Sequence, residues 1–336
     1  MNKNLSGFLP DTDYHYFSYA EEIPFIPDAE DFTLNNALWL AEASMLAYTG
    51  DNTISSVCKE FFPGGYTIFQ TALAKCFILE KENYVILSFR GTEIQGPQII
   101  PDLFTDFDTR LAEFSSGGKV HKGFLHAFTD IWEKDAGLRD SISLLKQSSP
   151  KKYLWITGHS LGAALALLTF IHEPAFQGCY TFGSPKAGTK KLYSHLTGNV
   201  FRFVNVNDIV CRIPPSIPAG EESDDEFVHF GNVKYLDKNG SLKDKIPKKY
   251  RKFSKTITAL SGFFDTLADK DTIFSEKIIN IIENKTKTRD LKKTGFSRHL
   301  EAVEKTINDY GEFSIPDHSP LEYVNKIANL CKGKKQ

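Results

Sequence analysis

The chain has 336 residues, 41% of them apolar, and a formal net charge of −2. That length suits one α/β domain or two smaller ones, the apolar share is ample for a buried core, and so balanced a charge gives no field that would draw the molecule to nucleic acid. The cysteines, Cys58, Cys76, Cys179, Cys211 and Cys331, are odd in number, scattered and without C-x-x-C spacing, which speaks against a disulfide framework and against a zinc site.

Residues 1–31 mix proline, aspartate and aromatics and read as an irregular lead-in, without the apolar core behind a basic start that a secretory signal has. No run approaches the roughly eighteen consecutive apolar residues of a membrane span. The expected location is therefore the cytoplasm, or export by a route without a cleaved signal. Leu38, Ala41, Met45 and Tyr48 recur at helical spacing and predict a helix over Asn35 to Tyr48. Two extended runs follow, Ala74 to Leu79 and Tyr84 to Phe89, and the short polar link between them suits a hairpin.

Gly123 to Lys146 reads as a helix, and strands are predicted at Tyr153 to Thr157, Cys179 to Phe182 and Phe201 to Val206. Strands alternating with helical sequence imply a mostly parallel sheet covered on both faces, with ligand sites at the carboxyl ends of the strands. Residues 237–310 break the rhythm. They carry Lys243, Lys245, Lys248, Lys249, Arg251, Lys252 and Lys255 against Asp244, then two segments with helical apolar spacing, and a second basic run ending at Lys293. The expectation is a basic helical insertion within one α/β domain spanning 32–336.

The chemistry centres on Gly158-His159-Ser160-Leu161-Gly162, placed between a β-like run and the helix-like run Leu161 to Phe170. A G-x-S-x-G turn between strand and helix holds a serine hydroxyl clear of the backbone, and its glycines sit where a Cβ would strike a neighbour. Ser160 is the candidate nucleophile. Such a hydroxyl needs a base, an acid to orient that base, and donors for the developing oxyanion. Asp208 directly follows an apolar strand and is the best acid, whereas Glu221, Glu222, Asp224, Asp225 and Glu226 read as a solvated loop. Of the histidines downstream, His318 lies in a turn opening the last helix, His229 in a strand-like alternation and His299 in a polar helical stretch. A loop position suits a residue that must reach across a site, so His318 is the first choice and His229 the second.

Together these residues resemble the class 3 lipases, the family of the fungal triacylglycerol lipases. The shared marks are Phe89-Arg90-Gly91-Thr92, His121-Lys122-Gly123-Phe124, the serine turn, Tyr180-Thr181-Phe182-Gly183-Ser184-Pro185, Asn207-Asp208-Ile209-Val210 before Arg212-Ile213-Pro214, His229-Phe230-Gly231, and His318 with Tyr323 five residues on. The resemblance implies an α/β-hydrolase fold with Ser160, Asp208 and His318 as triad, and it moves His229 to a strand near the site. It also implies an oxyanion hole from Thr92 and the Leu161 N–H, with no metal or organic cofactor. Fungal members usually place a helical lid soon after the Arg-Gly-Thr motif, but here Glu93 to Val120 shows only a weak apolar face.

The expected activity is hydrolysis of lipid-like esters such as acylglycerols. Phospholipase A action or acyl transfer with the same triad are the alternatives, and a non-catalytic lipid- or protein-binding module is more distant. The expected partner is the lipid substrate; the basic segment 243–293 reads either as a helical pair packed on the core with a solvated basic face or as a peripheral contact to a lipid surface.

Overall fold

Apolar runs without polar alternation pack only where both faces of a sheet are covered. Every residue of Tyr84–Phe89 is buried, as is all of Tyr153–His159 except its first residue. The computed structural model describes residues 9–11, 13–92, 111–134, 137–148, 150–194, 196, 198–214, 226–247 and 316–333. Within them the helices are α1 (Leu34–Leu46), α2 (Asp51–Phe61), α3 (Lys122–Thr129), α4 (Leu138–Lys146), α5 (Leu161–His172) and α6 (Pro320–Gly333).

The strands of the main sheet are β1 (Gly65–Gln70), β2 (Lys75–Glu80), β3 (Tyr84–Phe89), β6 (Tyr153–His159), β7 (Phe176–Phe182), β9 (Asn199–Asn205), β11 (Asn232–Leu236) and β12 (Leu242–Lys243). They lie in the spatial order β1-β2-β3-β6-β7-β9-β11-β12. The run from β3 to β11 is parallel throughout, and β1, β2 and β12 add antiparallel edges. Helices α1 and α6 cover one face and α3, α4 and α5 the other. This is the mostly parallel sheet, covered on both faces, that the order of elements predicts, with the β2–β3 hairpin, and it has the α/β-hydrolase arrangement that the resemblance implies.

Other features depart from the sequence reading. A second sheet, β10-β8-β5-β4, joins β4 (Leu111–Glu113), β5 (Lys119–His121), β8 (Gly188–Thr189) and β10 (Phe227–Val228). Strands this short show no alternation. Strand β1 buries only Phe69, and α2 only Ile54 and Cys58, so neither carries much apolar signal. The helix expected over Gly123 to Lys146 is α3, a π-helical turn over Asp130–Lys134, and then α4 after Gly137. The periodicity survives that break because both helices bury apolar residues in the same layer: Phe124, Ala127 and Phe128 from one, Leu138 and Ile142 from the other.

The strand-like stretch around His229 ends at Val228, one residue before it. Residues 93–110 of the Glu93 to Val120 stretch with the weak apolar face, and the helices expected within 237–310, lie outside the described residues. The start of that insertion instead extends the sheet, with Tyr235 and Leu236 of β11 opposite Lys243 and Leu242. The cysteines are all free and buried.

The lead-in contributes to the core although its described residues form no helix or extended strand. Tyr16, Phe17, Ile23, Phe25 and Ala29 bury their side chains against α1 and the sheet. Its backbone groups find partners on side chains: the Trp39 indole N–H donates to the Ile23 carbonyl at 2.7 Å, that of Trp155 to the Pro27 carbonyl at 2.9 Å, and the Asn36 amide exchanges two 2.8 Å bonds with Ile26. An irregular segment stays buried only if its polar groups are satisfied in this way. At its centre the Glu42 carboxyl, 1% exposed, accepts from the Phe17 N–H and the Tyr14 hydroxyl.

Burial outweighs these two bonds and pushes Glu42 from 4.5 up to about 7. Between those values the folded protein keeps a proton that the unfolded chain has lost. The contribution of Glu42 to stability is therefore full below 4.5 and is lost as pH rises through about 7. Glu42→Gln removes the titration and retains an acceptor. The melting-temperature difference, variant minus wild type, is expected to grow from about pH 5 to about pH 8, reaching a stability equivalent of about 3 kcal/mol. A difference that stays flat in thermal melts across that range would remove Glu42 from the pH dependence of the fold.

Candidate active site

Strand β6 delivers the chain to Ser160 at the carboxyl end of the sheet, and α5 starts at the next residue. Ser160 has φ 58° and ψ −129°, a backbone state that costs a non-glycine residue about 1–3 kcal/mol and persists only where its surroundings hold it. Here they do: the Ser160 N–H donates to the Phe182 carbonyl at 3.0 Å, and its carbonyl accepts from Ala163 at 3.0 Å. The flanking glycines are required by space. A Cβ on Gly158 would come within 2.2 Å of the Gly162 carbonyl oxygen, and one on Gly162 within 2.3 Å of the Phe89 oxygen. Small residues thus let α5 sit against β3 and β6.

Asp208 lies three residues beyond β9, in a turn closed by its own N–H to the Asn205 carbonyl at 2.8 Å. Its carboxylate has no exposure to solvent. One oxygen accepts from the Val210 N–H at 2.9 Å; the other accepts from the Tyr323 hydroxyl at 2.6 Å and lies 2.9 Å from His318 Nδ1. A buried ionised carboxylate only accepts, so His318 carries its proton on Nδ1 and turns a basic Nε2 the other way.

The turn holding His318, Pro316–His318, is stitched to the acid's turn: Asn205 Nδ2 donates to the Asp317 carbonyl at 2.9 Å, and the Asn207 N–H to the Asp317 carboxylate at 3.3 Å. The His318 ring also lies 4.5 Å, centre to centre, from the ring of His159, the residue before Ser160. The three residues singled out by the sequence are therefore gathered at one end of the sheet, Asp208 and His318 being 110 residues apart in the chain.

Thr92 follows β3, and the preceding Gly91 presses on the serine turn, since a Cβ there would lie 2.7 Å from the His159 carbonyl oxygen. Leu161 is the first residue of α5, where backbone N–H groups have no partner within the helix and the dipole favours negative charge.

His229 stands apart from the Asp208–His318 pair. Its Nε2–H donates to the Cys211 carbonyl at 2.8 Å, and burial with Arg202, Lys186 and Arg212 nearby holds its pKa well below the usual value, so it is a neutral structural donor. The acidic loop 221–225 and His299 lie outside the described residues. Among the described residues no cluster of histidine, cysteine and carboxylate side chains could hold a metal ion.

Two partners of the site escaped the sequence reading. Tyr323 appears there only as a mark of resemblance, yet its hydroxyl bonds Asp208 and also accepts from the Asn205 N–H at 3.0 Å. Burial and the Asp208 charge push this phenol well above its usual pKa, so it remains a donor. Gly183, at φ 60°, lies where a Cβ would come within 2.9 Å of both the Asp208 carboxylate and the His318 ring. Gly183, too, appears in the sequence reading only inside a mark of the resemblance, Tyr180-Thr181-Phe182-Gly183-Ser184-Pro185.

Residues 86–217 match the sequence model of the family described as Lipase (class 3). Over 85% of its length the chain is 27% identical to a triacylglycerol lipase of Ricinus communis, of which it covers 63%. Over 42% it is 31% identical to a chloroplastic phospholipase A(1) of Arabidopsis thaliana, of which it covers 36%. The chain thus spans less than two thirds of either relative. A crystal structure of the lipase from Rhizopus microsporus var. chinensis aligns with 64% of this chain and 74% of that one, with a TM-score of 0.48 and 22% identity.

Replacing Gly183 by alanine tests how closely the pair is packed. The added methyl must push His318 or Asp208 aside, and a displacement of about 1 Å costs on the order of 100-fold in turnover. Gly183→Ala is therefore expected to retain the fold by circular dichroism and to lose turnover of an activated ester by about that factor. Wild-type rates in a folded variant would show that the pair has room to spare.

Proposed function

We propose that this chain is a member of the class 3 lipase family and hydrolyses carboxylic esters of lipids through an acyl-enzyme on Ser160. The observation that carries the reading is the buried Asp208–His318 hydrogen bond, 2.9 Å long, beside a strained strand–turn–helix serine. It gives a hydroxyl the base, and the base the orienting acid, that acyl transfer requires.

Ser160 Oγ attacks the ester carbonyl carbon while its proton passes to His318 Nε2. The imidazolium so formed is held by Asp208, whose other hydrogen bonds, from Tyr323 and Val210, keep it correctly turned. The carbonyl oxygen becomes an oxyanion facing the N–H groups of Thr92 and Leu161, each such donor being worth about 3 kcal/mol in the transition state. Collapse expels the alcohol, which takes the proton from His318. Water, deprotonated by the same imidazole, then attacks the acyl-serine and releases the fatty acid.

Acylglycerols are the first substrate in this reading, because the relative matched over 85% of the chain is a triacylglycerol lipase. Phospholipid is the second, supported by the identity to a phospholipase A(1) and by the basic residues of 243–293. A lipid-facing role for that segment belongs to the same proposal: each lysine or arginine near an anionic surface contributes about 1 kcal/mol of attraction. No helix among the described residues is long and apolar enough to cross a membrane.

Hydrolysis of p-nitrophenyl esters of increasing acyl length, of emulsified triacylglycerol and of phospholipid tests the reading. Ser160→Ala is expected to lose about 10⁴-fold or more and Asp208→Asn about 10³–10⁴-fold, with folding unchanged. A folded wild type inactive on every ester, or an equally active Ser160→Ala, would refute it. For the surface role, flotation with vesicles should rise with phosphatidylserine content and fall with salt. Binding indifferent to both would remove 243–293 from it.

A further inference from the structure

The residue before the nucleophile is a histidine that contacts the base loop rather than solvent. His159 is fully buried, and its Nε2 lies 2.7 Å from the backbone carbonyl oxygen of His318. A carbonyl oxygen accepts and never donates, so the proton is on Nε2 and Nδ1 carries a lone pair. That lone pair faces the Tyr48 hydroxyl at 2.7 Å, which therefore donates to it. The Tyr48 oxygen in turn packs against the backbone of Gly91, the residue before Thr92.

Gly91 is a glycine for this reason. A Cβ there would lie 2.0 Å from the Tyr48 oxygen. Burial, with the neighbouring His318 ring adding to it, holds His159 well below the usual histidine pKa, so the donor and acceptor roles are those of a neutral ring. Its contact with the Asp208–His318 pair is through the His318 backbone and through the 4.5 Å ring contact.

We propose that Tyr48 and His159 are positioning residues, forming one hydrogen-bonded brace that sets the Gly91–Thr92 turn and the His318 backbone at a fixed separation across the serine. The brace runs from Gly91, packed on the Tyr48 oxygen, through the Tyr48 O–H to His159 Nδ1, and from the His159 Nε2–H to the His318 carbonyl. Its ends are the two segments that must be in register when an oxyanion forms while a proton moves: one holds the donor at Thr92, the other the base. The side chain at the second position of the serine turn thereby acquires a task distinct from the reactions of the triad. The inference rests on the ester-hydrolase reading above for its kinetic consequence, though the brace itself does not.

The test pairs kinetics on a soluble p-nitrophenyl ester with nitrogen NMR of histidine-labelled protein. Tyr48→Phe deletes the bond to His159 together with the hydroxyl packed on Gly91, and is expected to lower kcat about 10- to 100-fold with KM within about twofold. His159→Gln retains an N–H for the His318 carbonyl and should lie above His159→Leu, which retains nothing. The double variant Tyr48→Phe/His159→Leu should be no worse than His159→Leu alone, as for groups acting as a unit.

A wild-type kcat in Tyr48→Phe, a loss confined to KM, or additive losses in the double variant would overturn the proposal. If His159→Leu does not fold, Tyr48→Phe decides by the same criteria. The NMR arm is read on wild type: His159 should be protonated on Nε2 with Nδ1 bare, and its Nδ1 resonance should shift in Tyr48→Phe. The opposite tautomer sinks the brace even in an active enzyme. The expected tautomer in a protein without esterase activity would retain the brace and overturn the assigned reaction.

Discussion

The burial of one ionised carboxylate organises this end of the sheet. Asp208 has no contact with water, and an isolated carboxylate in such a place would cost several kcal/mol or take up a proton. It is supported instead by three donors from three parts of the chain: the Val210 N–H of its own turn, the Tyr323 hydroxyl of the last helix and the His318 ring. Each support also fixes the group that provides it. Tyr323 ties α6 to β9 through its second bond, to Asn205, and that same residue holds the Asp317 carbonyl beside the base. The electrostatic demand of a single side chain thus sets the separation between β9 and α6, and with it the direction in which the His318 Nε2 points.

Close backbone approach is the second constraint. The serine turn is strained, and it is held because the neighbouring segments leave it nowhere to relax. Gly158 and Gly162 let β6 and α5 meet at backbone distance, Gly91 admits the Tyr48 hydroxyl, and Gly183 leaves room for the Asp208–His318 pair. At each of these positions one methyl group would displace backbone or a reacting group. The catalytic end of the sheet is accordingly lined with glycines, while the opposite needs of packing fill the interior with large side chains such as Trp155, Tyr180 and Phe203.

The N-terminal segment and the C-terminal helix share one face of the sheet, and both are part of what holds the site. Helix α1 carries Ser44 and Glu42, one packed in the core and the other binding the lead-in, and the turn just after it presents Tyr48 to His159. Helix α6 buries Tyr323, Val324 and Ile327 on the same layer and opens immediately after His318. The base and the tyrosine bonded to His159 thus hang from helices that cover the same face, so packing of that layer is transmitted to the geometry around Ser160.

Local chemistry was legible without a structure. Gly158-His159-Ser160-Leu161-Gly162 between a strand and a helix is a self-contained turn, and its small residues declare the close packing that the coordinates display. Asp208 was legible because it follows an apolar strand, His318 because it opens a final helix, and the sheet because its buried strands read as long apolar runs. The two- and three-residue strands of the second sheet, the largely exposed β1 and α2, and the buried but irregular lead-in were not legible, since periodicity needs length and a face to bury.

Nor were the bonds from Tyr323 to Asp208 and from Tyr48 to His159, which join residues 115 and 111 positions apart. A sequence determines which groups can donate, accept or fit, because those are properties of single residues and short turns. Which donor meets which acceptor depends on the order in which strands lie side by side, and only the folded sheet decides that.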